Sequence, residues 1–268
     1  VSQKNNYGLS RVIPSNVKRE VRQRCKFGCV ICGFPIYDYE HFNPEFKDLK
    51  DEHKSEGITL LCPNCHRQKT NSEIPIEDII NYNKNPYCAN NKYIKGKFNF
   101  KKDESLIIKF AGSTYSNLDS VINIGSTSVL SICKSENKYE PFLLSGSFYD
   151  TSGKMTLIIN RNNWVSNINQ WDIEKVGSGI KIRESKSKVV LDIKINHNKE
   201  VVINRIQMQY KKVFLDGNKD SLKIFSEGKM LMEISNCQMS SARVGIQIGN
   251  EHENKDFVNK TTNFNIDN

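Results

Sequence analysis

The residues best suited to chemistry lie close together between positions 25 and 70. Two Cys-x-x-Cys pairs, Cys29/Cys32 and Cys62/Cys65, enclose an adjacent Glu40-His41, and His66 directly follows the last cysteine. Two thiolate pairs at this spacing satisfy one tetrahedral Zn²⁺, each pair sitting on a tight turn. Cys25, just outside the first pair, is an alternative ligand to Cys29. A metal cross-link between the pairs would carry His66 toward Glu40 and His41. A carboxylate and imidazoles gathered in this way form a second metal site, of the catalytic kind.

These residues need elements to position them. Pro14-Ser15 signals a helix start after a polar arm over 1–13, with Ser15 as cap and Val17 and Val21 four apart on one face. Lys18, Arg19, Arg22, Arg24 and Lys26 crowd that helix. They either solvate a surface or, with a metal module beside them, contact phosphate. Gly28 and Gly33 bracket the first cysteine pair, as a tight thiolate-bearing turn requires. Residues 37–42 read as a strand, 43–57 as a charged irregular loop or short helix, 58–61 as a second strand, and 62–69 as the first turns of a helix. A further helix is expected over 72–83, with Pro75 near its start, Ile76, Ile79 and Ile80 on one face, and Pro86 as its stop.

The order CxxC, acid-His ending a strand, then LLCPNCH with His66 opening a helix resembles the cysteine-bearing HNH (ββα-metal) endonucleases. The resemblance covers about residues 15–85. It implies a structural Zn²⁺ on Cys29, Cys32, Cys62 and Cys65, His41 as general base, and Glu40 with His66 as ligands of a catalytic Mg²⁺ or another divalent ion. Imidazole titrates near neutrality and suits the base, while a cation neutralises the phosphate and the leaving 3′-oxygen. Arg67 and Lys69, on the helix after His66, are expected at phosphates together with Arg22 and Arg24. Members of such families often carry Asn five residues before the third cysteine to orient the base. Here that position is Gly57, so a backbone carbonyl, Glu56 or His53 must take over, or activity is reduced.

Residues 84–105 are rich in Asn and Lys and hold the expected domain boundary, and from Leu106 onward the pattern changes to short runs with period two. Candidate strands are 106–110, 121–124, 129–133, 142–148, 155–159, 179–183, 189–195, 201–208, 213–215, 222–225, 229–234 and 244–248, with turns at 150–153, 197–199, Asp216-Gly217 and Glu227-Gly228. The fold class expected is therefore α+β. A small N-terminal zinc-stapled ββα-metal module over 1–97 precedes a mostly antiparallel β domain (sandwich, barrel or meander) over 98–250 and a polar, flexible tail over 251–268. Trp164 and Trp171 are expected in sheet core. His197, in a turn, and His252, in the tail, are expected to be inert.

The net charge of +9 is unevenly placed: residues 1–102 carry 18 Lys/Arg against 11 Asp/Glu, and the other 166 carry 21 against 19. A basic module suits a polyanion such as double-stranded DNA. No apolar run approaches the roughly 20 residues that span a bilayer, and no signal-peptide pattern precedes the cysteines. The expectation is thus a cytoplasmic protein with reduced thiols and no membrane partner. The chain begins at Val1, so an initiator Met or an earlier segment is expected upstream. The strand-rich part holds no nucleophile elbow, paired acids with histidine, or phosphate-cradling loop. It is expected to recognise a target or partner, or to assemble a homo-oligomer. The function expected is a DNA endonuclease of phage defence or restriction. The alternatives are a zinc-ribbon nucleic-acid-binding protein without catalysis and a structural zinc module on an interaction protein.

Overall fold

Short Ile-, Val- and Phe-rich runs separated by Asn, Lys and Gly turns become strands, and among the described residues the helices are confined to the first hundred. The computed structural model describes residues 4–102, 106–135, 137 and 141–249. The expected tail, with His252, and the first three residues of the expected arm lie outside the described residues. The result is a mixed α+β chain dominated by antiparallel strands. Among the described residues, no helix is long and apolar enough to cross a membrane.

The chain divides into two units, 1–97 with 164–189, and 98–163 with 190–268. This differs from a split into two consecutive domains: 164–189 returns to the first unit.

In that unit, helix α1 (Ser15–Arg24) buries Val17 and Val21. Pro14, not Ser15, occupies its N-cap, and no side chain caps it. Strands β1 (Asp38–His41) and β2 (Ile58–Leu61) form an antiparallel hairpin with Glu40 opposite Thr59 and His41 opposite Ile58. Helix α2 (Pro63–Thr70) follows at once. Cys62 caps it by accepting from the Cys65 amide, and Pro63 supplies a first-turn position that needs no N–H donor. Val21, Val30, Ile58, Leu60, Leu61 and Ile79 form the core beneath hairpin and helix.

Helix α3 (Ile76–Lys84) starts after Pro75 rather than at Ser72, whose φ of 61° is left-handed and cannot open a right-handed helix. Helix α4 (Tyr87–Asn91) and strand β3 (Tyr93–Lys97) then occupy a stretch too polar to announce either. Gly96 is required in β3 because a Cβ there would meet the ring of Trp164 at 2.6 Å. Trp164 is itself buried in the strand Asn163–Asn167.

Arg22 is not a phosphate contact. It is 3% exposed and forks onto Asp172 at 2.9 and 2.7 Å, with Tyr39 Oη at 2.8 Å. Asp172 is fully buried and opens a hairpin of Asp172–Val176 with Gly179–Arg183. Burial works against the guanidinium's charge, yet Asp172 and Tyr39 outweigh it and hold the Arg22 pKa above its usual value.

In the second unit, Val189–Asn196, Glu200–Tyr210, Val213–Asn218, Leu222–Ser226 and Lys229–Ile234 run as an antiparallel meander. The 11-residue strand Glu200–Tyr210 also takes Ile107–Phe110 in parallel. Ser120–Ile124, Thr127–Cys133, Leu143–Tyr149 and Met155–Asn160 pair antiparallel in sequence order, and Val244–Ile248 joins the first of them in parallel. Asp216-Gly217 is not a turn but lies inside a strand, where a Cβ on Gly217 would meet the Phe110 ring at 2.5 Å. The turn falls at 218–221, where Asn218 Oδ1 accepts from the amides of Asp220 and Ser221.

Candidate functional site

The four paired cysteines converge. Gly33, at φ 73°, closes the first knuckle, with its amide on the Cys29 carbonyl at 2.8 Å, and the Val30 amide ties that knuckle to Leu60 of β2 at 3.0 Å. The second pair belongs to the cap and first turn of α2. The four sulfurs lie within 4.8 Å of one another, with Cys32 Sγ 3.6 Å from Cys62 Sγ and 3.8 Å from Cys65 Sγ. Metal–sulfur bonds of about 2.3 Å at the tetrahedral angle put sulfurs about 3.8 Å apart. The cluster could therefore hold a metal ion, and its geometry is compatible with zinc.

Its protonation fits a cation too. Burial, with Cys29 beside it, pushes the Cys32 thiol up to about 12, and Cys65 is raised for the same reasons. Burial opposes ionisation of Cys62 as well, but hydrogen bonds from the Cys65 amide and the neighbouring thiols hold its pKa below the usual value. Several thiolates in one such space need a positive ion among them. Cys25 is not part of the cluster; its sulfur sits 3.8 Å from Thr59 Oγ1 and 3.6 Å from Asn83 Oδ1.

Beside the cluster lies a cleft of about 300 Å³ lined by Glu40, His41, His66 and Lys69, with Arg11 and Glu45. Strand alternation turns Glu40 and His41 to opposite sides. Both reach the same cleft because β1 ends at His41. On α2, His66 and Lys69 are three apart and share a face. Glu40 receives both: His66 Nε2 lies 2.8 Å from Oε2, and Lys69 Nζ donates to Oε1 at 2.8 Å. Lys69 also reaches Glu45 at 3.4 Å. Burial works against its charge, but the two carboxylates prevail and its pKa is raised. Lys69, expected at phosphate, is thus held by two acids.

His41 is 7% exposed, and its Nε2 lies 2.9 Å from His53 Nδ1. His53 is buried too, with Nε2 2.8 Å from the Ser10 carbonyl oxygen. A carbonyl only accepts, so His53 carries its proton on Nε2 and presents a lone pair at Nδ1. His41 then donates from Nε2, which leaves Nδ1 as its basic nitrogen. Phe46 stacks parallel to His53 and packs against His41, closing the pair from solvent. Burial first, and His53 second, lower the His41 pKa to about 4. His41 is therefore neutral at pH 7.

No family model, curated protein or solved structure matches this chain.

Its site must be read from its own residues, and several differ from expectation. Glu56 is exposed in the 3₁₀ turn Ser55–Gly57 and does not line the cleft. Arg24 is half-buried and donates to the carbonyls of Ser55 and Ile58, bracing that turn against β2. Arg67 is exposed on α2. Gly57 is demanded by packing, because a Cβ there would lie 2.4 Å from the Asn43 carbonyl oxygen. Its own carbonyl accepts from the Phe42 amide at 3.0 Å, which fixes the chain just after His41. Arg11, Glu45 and the Ser10 carbonyl were not foreseen, and a polar arm and an aperiodic loop carry no pattern that would have named them.

Proposed function

We propose that this chain is a metal-dependent nuclease of the HNH, or ββα-metal, type that hydrolyses DNA phosphodiesters. The observation that carries the reading is the convergence of Glu40, His41 and His66, from a hairpin and its following helix, on one cleft beside four clustered cysteines. The cysteines would hold Zn²⁺ as a staple between the first knuckle and α2. Glu40 and His66 would hold Mg²⁺ or a similar ion. Their contacting atoms, 2.8 Å apart, suit neighbouring ligands at about 2.1 Å around an octahedral ion, which lie about 3.0 Å from each other. When bound, such an ion supplies charge to neutralise the phosphate and the departing 3′-oxygen.

The chain's own residues do the rest. His41, neutral and held by His53, presents Nδ1 to take a proton from the attacking water. Lys69 keeps the Glu40 carboxylate turned toward α2. Arg11, at the cleft, and Arg67, on the exposed face of α2, supply positive charge for the DNA backbone, in keeping with the basic excess of this part of the chain. The strand-rich unit would target or assemble the nuclease, and phage defence or restriction is the setting the resemblance suggests.

One observation favours a second reading, a zinc module that binds nucleic acid without cutting it. Lys69 already neutralises Glu40, so the carboxylate has less charge to offer a divalent ion. Supercoiled plasmid incubated with Mg²⁺ or Mn²⁺ and the protein decides between them. Nicking or linearisation that is lost in both His41→Ala and His66→Ala supports the nuclease. A gel shift with no cleavage in either metal supports the binding module instead.

A further inference from the structure

One side chain of the N-terminal arm grips the loop that carries His53. Asn5 uses every hydrogen-bonding position a primary amide has, two acceptor lone pairs and two N–H donors. Its Oδ1 accepts from the amides of Tyr7 and Leu9, each at 3.0 Å, which folds residues 5–9 into a turn. Backbone bonds close the same turn, from the Asn5 amide to the Leu9 carbonyl and from the Gly8 amide to the Asn5 carbonyl, both at 3.0 Å. The Asn5 Nδ2 donates outward, to the carbonyls of Phe46 at 2.8 Å and Leu49 at 2.6 Å. A reversed amide would set oxygen against two carbonyl oxygens and N–H groups against two amides. Only the observed orientation satisfies all four bonds.

The grip falls where the loop has little structure of its own. Between β1 and β2 its regular elements are two 3₁₀ turns of three residues each, Phe46–Asp48 and Ser55–Gly57. Asn5 holds the first of these at both ends. Two routes then lead from Asn5 to His41. Just beyond the turn that Asn5 folds stands Ser10, whose carbonyl accepts from His53 Nε2 at 2.8 Å. The Phe46 backbone that Asn5 grips carries the ring that lies parallel to His53, with planes 3° apart, and 5.4 Å from the His41 ring. Arm, loop and histidine pair are thus joined through one amide.

We propose that Asn5 is a positioning residue for His41. By holding the arm's turn against the loop at Phe46 and Leu49, it keeps the Ser10 carbonyl on His53 Nε2 and so aims the lone pair of His53 Nδ1 at His41. The consequence for catalysis rests on the nuclease reading above, whereas the effect on the His53 tautomer does not.

Nitrogen NMR of the histidine rings in the full chain at neutral pH reads the tautomer directly. Wild-type His53 is expected to show a single form, protonated at Nε2. Asn5→Asp keeps both acceptor bonds of the turn and removes both donors to the loop, while Asn5→Ala removes all four. In both variants His53 is expected to become a mixture of tautomers. Asn6→Ala, at the exposed neighbouring position, should leave the signals unchanged. In the plasmid assay each Asn5 variant should cut about tenfold more slowly, with DNA affinity unchanged in a gel shift. Asn5→Asp combined with His53→Ala should be no slower than His53→Ala alone, because a residue that acts through another adds nothing once that one is gone. A His53 that stays protonated at Nε2 alone in both Asn5 variants overturns the proposal. A double variant slowed by the full Asn5 factor overturns it as well. If the wild type cuts no DNA in either metal, the nuclease reading fails, and the tautomer comparison alone decides the role of Asn5.

Discussion

In the proposed nuclease a neutral His41 would serve as a base only with its proton on Nε2, and His53 sets this. Replacing His53 with Ala should reduce cleavage by about 10–100-fold, the usual cost of removing an outer-shell partner, with DNA affinity unchanged in a gel shift. His53→Gln, which still offers an acceptor to His41 Nε2, should retain most of the rate. The pH profile adds a second readout. The base works unprotonated, and with its pKa lowered to about 4 the wild-type rate should hold well below pH 6.5. Without His53 the acid limb should move upward, because His53 is one of the causes of the lowering. The same shift links pH to stability. His41 is depressed in the fold, so its contribution is present above pH 6.5 and is lost as pH falls from there through about 4. At this scale the convergence of the cysteines, Glu40, His41 and His66 was legible because each lies inside a short, chemically patterned motif. His53 was visible only as one of three candidates to orient the base. The loop that carries it has no periodicity, and what selects it is a Ser10 carbonyl 43 residues earlier.

Hairpin and helix are too short to hold their positions alone, since β1 and β2 have four residues each and α2 has eight. A helix of that length is marginal in water without tertiary support. A metal held by the four sulfurs would supply that support by joining the first knuckle to the α2 cap. Cys65→Ser should therefore lower bound metal, measured by elemental analysis, from one equivalent per chain to well below it. It should also remove the cooperative thermal transition of this unit, because binding free energy at such sites is folding free energy. A chelator applied to the wild type should do the same. If chelation strips the metal and the melting curve does not move, the cluster is not the staple. The elements beneath the site were readable from their patterning. Helix α4 and strand β3 were not, because seven of their ten residues are Tyr, Cys, Asn or Lys and the pattern is polar throughout.

At the scale of the whole molecule, the first unit is closed by a segment far along the chain. Asp172 lies 150 residues from Arg22, and both are buried. Asp172→Ala leaves a buried guanidinium uncompensated and should cost about 3–5 kcal/mol, read from the midpoint of urea unfolding. A loss below about 1 kcal/mol would mean that Arg22 finds other partners at little cost. Sequence could not show this pairing. A basic helix looks the same whether its arginines meet phosphate or a buried acid, and strands at 172–183 follow the same period as those of the second unit. A truncation after residue 97 is consequently a poor test of the proposed nuclease, because it removes the Arg22 counter-ion along with everything else.

That pairing also orders events in time. During synthesis, residues 1–97 emerge with both cysteine pairs and every cleft residue named above, but Arg22 lacks Asp172 until that residue follows. At about 5–20 residues per second the delay is roughly 4–15 s. A nascent chain would thus carry every one of those cleft residues before the first unit could close around them, and a chain that ended in that interval would lack the closure altogether.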